Sequence, residues 1–127
     1  MNKEAFVNMS KANKITAILR ELEQNCDVNG SALVSTKGQM MAAALHSDVD
    51  AKAVSAMTAA LLSIGTRVGT VLNTGATTGI LVSGENSMIV LRRTKNAVLM
   101  ALAPADAKLG LIDFEVDSAI SKIEEIL

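Results

Sequence analysis

The sequence predicts a single α/β (α+β) domain of three layers, in which helices cover both faces of a five-stranded antiparallel sheet. The predicted elements follow in the order α-β-β-α-β-β-β-α, and the short turns between the strands force antiparallel neighbours. Stretches such as MIVL and AVLMALA are apolar at nearly every position, which is typical of a sheet buried on both faces. The chain has 127 residues, half of them hydrophobic, which is enough for one core.

The first half of the chain is predicted to contain a helix, a hairpin and a long helix. The first helix spans residues 1–26 and packs on the sheet through one apolar stripe, and the DVNG segment that follows ends it. Two short strands, 31–36 and 39–45, flank a hairpin turn at Lys37-Gly38. Asp48 is a candidate N-cap for the long helix over residues 49–73.

Three strands and a final helix complete the predicted domain, which takes in residues 1–127. Turns rich in Gly and Asn separate the strands, and Pro104 ends the last of them. The strands are 77–83, 87–93 and 97–103, and the helix is 106–127. The apolar stripe of this helix is expected to face the sheet and consists of Ile112, Val116, Ala119, Ile120, Ile123 and either Ile126 or Leu127.

The long middle helix carries no charge from residue 53 to residue 66, in a chain that is 20% charged. One side repeats large apolar residues at helical spacing and is predicted to face the sheet. The other side has small or apolar residues where a solvated helix would carry Lys and Glu. We therefore expect a second copy of the chain to cover it. The predicted homodimer seam consists of Ser55, Ala59, Leu62, Ser63 and Thr66, and the predicted sheet-facing stripe of Val54, Met57, Leu61, Ile64 and Val68.

The strand over residues 77–83 is the second predicted part of the dimer interface. It is apolar, and an unpaired apolar edge invites aggregation unless another chain pairs with it. The predicted contacts are Thr78, Ile80, Leu81 and Val82.

Composition excludes several classes of partner. Phe6 and Phe114 are the only aromatic residues, and the net charge is −1, so neither base stacking nor electrostatic attraction favours nucleic acid. No uncharged apolar run reaches the roughly 18–20 residues that span a bilayer, so direct membrane insertion is not expected. The start of the chain lacks a signal-peptide core, and the lone Cys26 suits a reducing compartment, which predicts a cytoplasmic protein.

No catalytic constellation emerges from the reactive residue types. His46 is the only histidine, and it has no partner at metal-ligand spacing. Cys26 has no base near it in sequence, and packing is its expected role. The glycines among threonines lack the Lys-Ser or Lys-Thr pair of a phosphate-binding P-loop. The basic run over residues 92–95 is read as a solvated turn. The sequence thus predicts no enzyme, no cofactor and no metal site.

Three segments together resemble the roadblock / dynein light chain family, over about residues 24–127. The hairpin NGSALVSTKGQMMAAAL resembles the family's opening hairpin, and AVSAMTAALLSIGTRVG resembles its central helix. The closing segment carries the family's "LGl" signature. Asp113-Phe114 departs from the pattern, which often has a basic residue there. The matching residues are Gly30, Ala32, Leu33, Val34, Gly38 and Ala42 to Ala44 in the hairpin, and Leu109, Gly110, Leu111, Glu115 and Ala119 near the end.

The resemblance implies a profilin-like sandwich that dimerises through antiparallel central helices and edge-to-edge pairing of the third strands. It also implies a non-catalytic scaffold or regulator that binds a small Ras-like GTPase in a signalling complex. The expected GTPase contacts lie beside the dimer seam, at Lys52, Arg67 and Thr70. A small-molecule-sensing module is the alternative, although a chain with two aromatics offers little for a ligand pocket. The residues leave open which GTPase is bound, whether its hydrolysis or exchange changes, and whether a different roadblock chain replaces the second copy.

Overall fold

A computed structural model describes residues 2–127, and the predicted order of strands and long helices is confirmed. Five strands form one antiparallel sheet in the order β2-β1-β5-β4-β3. β2 and β3 are therefore its two edges. The elements are α1 (Lys3–Val7), α2 (Lys11–Asn25), β1 (Gly30–Ser35), β2 (Met40–Ala44), α3 (Ala51–Leu72), β3 (Gly79–Ser83), β4 (Ser87–Thr94), β5 (Ala97–Pro104) and α4 (Leu109–Ile126).

Two helices, α2 and α4, cover one face of the sheet and form the larger core. Alternate residues of β5 point into this core, including Leu99 and Ala101, as the two-residue period of a strand requires. The stripe predicted for α4 is buried as expected, and Val116 and Ile123 are fully enclosed. The side chains of Ile15, Ile18, Leu19 and Leu22 bury α2 against the same core.

The helix α3 covers the other face of the sheet, which makes the predicted third layer. The intervening residues of β5, Val98 and Met100, point to this side and pack with Leu91 of β4. Because both sets of alternate residues are buried, the strands are apolar throughout, as the sequence indicated.

The predicted first helix is two helices in the structure, because the chain breaks between Val7 and Lys11. Ser10 adopts an extended backbone and its hydroxyl oxygen accepts a hydrogen bond from the Asn13 amide, so it starts α2 as an N-cap. No side chain of α1 is buried. Met1 of the predicted 1–26 helix lies outside the described residues.

The bounds of α3 also differ slightly from the prediction. Its N-cap is Asp50 rather than Asp48, and the Asp50 carboxylate accepts a hydrogen bond from the Ala53 amide. The helix ends at Leu72, one residue before the predicted end, and its C-cap Asn73 has a φ of 57°. Asn tolerates this left-handed conformation better than most residues, so it can close a helix as Gly does.

Ion pairs fix the position of α4 on the sheet. Arg92 of β4 donates hydrogen bonds to Asp113 at 2.8 Å and to Asp117 at 2.9 Å, which are one turn apart on α4. On the other flank, Lys122 pairs with Glu21 of α2 at 2.9 Å. Arg92 belongs to the basic run that the sequence analysis treated as a solvated turn, but it lies within β4 and holds the helix in place.

Candidate interaction surface on the central helix and edge strand

The central helix α3 faces its own sheet largely with small residues, and this reverses part of the prediction for its two sides. The predicted sheet contacts of Val54 and Leu61 are confirmed. Ser55 and Leu62 are only 3% and 5% exposed, and they pack toward the sheet together with Thr58 and Gly69. These positions recur at three, four and seven residues, so they share one helix face. Ser55 and Leu62 were predicted to lie in a dimer seam, and that prediction is wrong because they are already covered.

Close approach between α3 and the sheet is the physical reason for this reversal. A Cβ atom built on Gly65 would lie 2.7 Å from Cδ1 of Ile80 on β3. One built on Gly69 would lie 2.9 Å from the Thr74 hydroxyl. Gly65 thus lets the helix lie close to β3, and Gly69 lets the loop after the helix turn back over it, while Leu62 with Val54 and Leu61 packs on the rest of the sheet.

The large apolar residues of α3 face outward instead. Met57 and Ile64 are each 58% exposed and Val71 is 83% exposed, although the sequence analysis predicted that Met57, Ile64 and Val68 would face the sheet. A groove of about 430 Å³ opens beside them, and Arg67 contributes its single charged side chain. We call this surface the α3 stripe. It consists of Met57, Ile64, Val68, Val71 and Leu72.

The surface of the α3 stripe continues onto the free edge of β3. This strand pairs with β4 alone. Ile80 and Val82 lie opposite Leu91 and Ile89, so they share the sheet face that α3 covers, and Val82 is exposed there. Leu81 points to the other face and is also exposed. Thr78 is exposed just before the strand. An apolar helix face and an open strand edge therefore meet at one side of the molecule.

The remaining predicted seam residues lie on the opposite flank of α3. Ala59 is half-buried because its side chain faces Gly38, in the turn between β1 and β2. A Cβ atom built on Gly38 would lie 3.6 Å from the Ala59 Cβ. Thr66 is half-buried and its hydroxyl donates to the Leu62 carbonyl. Ser63 is exposed. A charge at Ala59, which would have disrupted the predicted seam, would instead disturb this turn.

The three predicted GTPase contacts are all exposed, but they do not form one cluster. Arg67 borders the α3 stripe and lines its groove. Lys52 and Thr70 lie on the flank turned away from the stripe. They are sixteen and two residues from Val68, and at 3.6 residues per turn both separations place them about half a turn from Val68 around the helix axis. The Thr70 hydroxyl donates to the Thr66 carbonyl.

An apolar cavity of about 230 Å³ lies beneath the N-terminal half of α3. Met57 and Leu61 border it on the helix, while Ile89 and Met100 border it on the sheet. Ligand pockets usually measure about 300–1,000 Å³ and present a few convergent polar groups. Only the Thr58 hydroxyl offers such a group here, so the cavity resembles an unfilled packing space more than a ligand site.

The reactive residue types stay apart in the fold. Within residues 2–127, no three His, Cys, Asp or Glu side chains come together as a metal site would require. Burial raises the pKa of the Cys26 thiol, and the negative charges of Glu115 and Asp27 raise it further, against a hydrogen bond from the Val28 backbone. A thiol of this kind is a poor nucleophile at neutral pH.

The helix α3 is long and apolar enough, by length and composition, to cross a membrane, with a mean hydropathy of 1.3 over its best window. Among the described helices it is the only one that meets this criterion. The sequence contains no uncharged run of this length, because Lys52 and Arg67 interrupt the apolar residues of the helix. The same composition serves a helix that packs on a sheet with one face and presents apolar residues on the other.

Comparison with known proteins agrees with this architecture. The family model described as the Roadblock/LC7 domain matches residues 14–103, which is most of the chain. The chain belongs to the Roadblock/LC7 domain family. Two uncharacterized proteins from Methanocaldococcus jannaschii are each 28% identical to this roadblock domain over 110 residues, covering 87% of this chain and 96% of each relative.

Solved structures place the roadblock domain among profilin-like sandwiches, as predicted. MglB from Myxococcus xanthus superposes with a TM-score of 0.85 at 19% identity, covering 93% of this chain and 100% of that chain. Profilin IA from Acanthamoeba castellanii superposes with a TM-score of 0.64 at 13% identity, again covering 93% of this chain and 100% of the other.

Sequence reasoning missed Val71 and Leu72 altogether as surface residues. A signal was present, because both continue the spacing of Ile64 and Val68 to the end of the helix. The pattern identifies a stripe, but it does not say which stripe the protein's own sheet covers.

Proposed function

We propose that this roadblock domain is a non-catalytic, homodimeric scaffold or regulator that binds a small Ras-like GTPase in a cytoplasmic signalling complex. The observation that carries the proposal is the α3 stripe, which continues onto the open edge of β3. Monomeric proteins rarely expose contiguous apolar surface of this kind unless it serves an interaction. Family membership supports a GTPase as the further partner, since roadblock proteins act with Ras-like GTPases.

In the proposed dimer, two α3 helices pack antiparallel across a two-fold axis while the two β3 edges pair. A two-fold contact uses the same patch of both subunits, so the α3 stripe must be self-complementary. Its apolar, uncharged surface meets that requirement, and paired β3 strands would hydrogen-bond the edge groups that each chain leaves free. The seam then consists of the α3 stripe with Ile80, Leu81 and Val82, and the inward-facing Ser55 and Leu62 are not part of it.

The GTPase is proposed to dock over the paired helices. Arg67 borders the α3 stripe, while Lys52 and Thr70 lie on its outer flank, so the dimer would present basic groups around a neutral centre. Carboxylates on the GTPase would be attracted to these groups, and charges at an interface rim mainly accelerate encounter.

The test of GTPase docking is a double charge reversal, Lys52→Glu with Arg67→Glu. Both side chains are exposed, so the fold should persist. Because Arg67 borders the seam, sedimentation velocity first establishes that the double variant is still a dimer. The association rate with purified Ras-like GTPases from the source cell, loaded with GDP or with GTP, should fall by about tenfold or more at low salt and by less at physiological salt. Biolayer interferometry measures this rate directly.

The matched control for this test places the same charge change on the other face of the sheet. Arg20→Glu with Lys108→Glu alters two exposed cations that lie on the α2 and α4 side. This variant should keep the wild-type association rate. Equal rates for both double variants would remove Lys52 and Arg67 from the docking surface, and no GTPase binding by the wild type would refute the proposed partner.

Small-molecule sensing is the alternative function, and no feature of the structure favours it. The apolar cavity beneath α3 is small and lacks convergent polar groups. The proposed dimer would also cover its rim at Met57.

A further inference from the structure

A second exposed apolar surface lies on the N-terminal half of α4, on the sheet face opposite the α3 stripe. Phe114 is 68% exposed, and it points away from the buried side of the helix that carries Ile112 and Val116. Leu111 lies one turn before it, so the two side chains are neighbours. We call this surface the α4 patch. It consists of Leu111 and Phe114, whereas the exposed Leu109 lies on the other flank of α4, beside Leu81 of β3.

The surroundings of the α4 patch are acidic. Between residues 106 and 117 the chain carries four carboxylates and one cation, and with Arg92 of β4, which pairs with two of them, the net charge is −2. Arg92 pairs with two of the carboxylates, whereas Glu115 forms no salt bridge within residues 2–127. Two such patches would repel each other, so a partner with apolar and basic residues fits better than another α4 patch. The charged residues are Asp106, Asp113, Glu115, Asp117, Arg92 and Lys108.

The N-terminal segment of the same chain has the complementary character. We call residues 2–14 the N-terminal arm, which contains α1 and the start of α2. Val7 is 60% exposed and no side chain of α1 is buried. Phe6 is half-buried, and the Lys14 ammonium lies 5.7 Å from its ring centre. The arm carries three lysines, Lys3, Lys11 and Lys14, against one acidic residue, Glu4.

The arm and the patch of one chain are too far apart to meet. The Lys122–Glu21 pair, together with a shallow cleft where Asn25 faces Glu115, shows that α2 and α4 run antiparallel. The arm therefore begins beside the C-terminal end of α4, roughly 30 Å from the α4 patch at 1.5 Å per helical residue. Three linking residues, Asn8 to Ser10, span only about 10 Å.

We propose that the N-terminal arm of one copy docks on the α4 patch of a second copy. Phe6 and Val7 cover Leu111 and Phe114, and the lysines of the arm face the carboxylates around the patch. The contact joins a basic apolar segment to an acidic apolar surface, and it covers Val7 and Phe114, which are exposed in a single chain. It is separate from the α3 seam and does not depend on GTPase binding.

Cross-linking between full-length chains tests the proposal directly. One chain carries Val7→Cys and the other Leu111→Cys, both in a Cys26→Ser background, so that a disulfide between them can form only between copies. We expect this pair to cross-link at least about tenfold faster than a control pair of Val7→Cys with Ser63→Cys, an exposed position outside both surfaces, because docking raises the effective concentration of the two thiols. Equal rates for the two pairs would overturn the proposal.

A peptide titration tests the chemistry of the contact. The probe is a fluorescent synthetic peptide of residues 2–14, and the receptor is the full chain with Phe6→Ser and Val7→Ser, which removes its own competing arm. Phe114→Ser in the receptor should weaken binding about tenfold or more, as loss of a buried aromatic anchor does. Val71→Ser, on the opposite face, should leave the affinity unchanged. Affinity that is insensitive to Phe114→Ser would contradict the proposed site.

A charge exchange separates this contact from nonspecific adhesion. A peptide with Lys11→Glu and Lys14→Glu should bind more weakly, and the receptor substitution Glu115→Lys should restore part of that affinity. A loss of binding that Glu115→Lys does not reverse would show that the lysines do not face the patch.

Discussion

Glycine positions in β3 and α4 show how strongly a single Cβ atom can matter. A Cβ on Gly79 would lie 2.8 Å from the Leu91 carbonyl oxygen, a backbone atom that cannot move away without disturbing the β3–β4 ladder. Gly110, in the first turn of α4, has no heavy atom within 4 Å of the same position. The two glycines thus have opposite structural roles, which the sequence does not distinguish.

Alanine substitutions at these two glycines should have opposite effects on stability. Gly79→Ala should lower the free energy of unfolding by about 1–3 kcal/mol, because the contact with the Leu91 carbonyl must be relieved by a backbone shift. Gly110→Ala should raise it by about 0.5 kcal/mol, since alanine loses less conformational freedom in a helix. Urea titrations of both variants beside the wild type measure the difference, and a stabilised Gly79→Ala variant would refute the close approach.

Cys26 should make the fold weaken at alkaline pH. Burial, together with Glu115 and Asp27, raises the thiol pKa in the folded state, so folding favours the protonated form. The resulting stability is fully present below the ordinary thiol pKa, about 8.5, and is lost as the pH rises through the raised folded value. Cys26→Ser should therefore lose less stability than the wild type between neutral pH and pH about 10. Parallel denaturant titrations at both pH values test this, and equal losses would contradict it.

Among the elements, α3 must meet one requirement on the face that packs on the sheet and another on the face that meets a partner, and the residues of the two faces alternate along its sequence. One face must be small enough to lie close to the sheet, as Gly65 and Gly69 are, and another must be apolar enough for a partner. Both faces lack charge, so periodicity reveals two stripes without ranking them. The small stripe faces the sheet because its side chains fit the short distance to β3, and the large stripe is left at the surface.

Two glutamate substitutions on α3 separate the predicted seam from the observed stripe. Val68→Glu places a charge in the α3 stripe, whereas Ser63→Glu places the same charge on the opposite flank, and both side chains are exposed in one chain. Val68→Glu should weaken the proposed dimer about 100-fold or more, because an unpaired buried charge costs several kcal/mol. Ser63→Glu should leave dimerisation intact. Sedimentation velocity measures both, and the reverse result would restore the seam predicted from sequence.

At the scale of the whole molecule, the uneven distribution of apolar surface defines its behaviour. Two cores are well buried, one on each face of the sheet, yet the α3 stripe, the β3 edge and the α4 patch remain open. The first two form one continuous surface, and the third lies on the opposite face. A chain with this distribution is expected to be more stable when a second copy covers the first surface.

The thermal midpoint should therefore depend on protein concentration. Only the folded chains can pair through the α3 stripe and β3, so mass action raises the midpoint as concentration increases. Val68→Glu should abolish this dependence, and the midpoint of the variant should be no lower than that of the most dilute wild-type sample. Calorimetry over a hundredfold range of concentration provides the measurement, and a constant wild-type midpoint would argue against the proposed homodimer.

The three-layer sandwich, the order of the elements and the buried stripe of α4 could all be predicted from the sequence. Those features follow from local periodicity and from turn residues, and apolar strands such as β5 required cover on both faces. The family followed from three motifs in one order. Even so, the local break at Ser10 that separates α1 from α2 was missed.

Which face of α3 is free depends on long-range packing and could not be predicted from the sequence. A helix with two uncharged faces satisfies periodicity either way, and the choice depends on the distance between Gly65 and Ile80, two residues that are far apart in sequence. The same holds for Phe114, which belongs to an apolar segment but points away from the core because Ile112 and Val116 set the helix rotation. Long-range packing, which fixes the rotation of each helix on the sheet, therefore determined the surfaces that are available to partners.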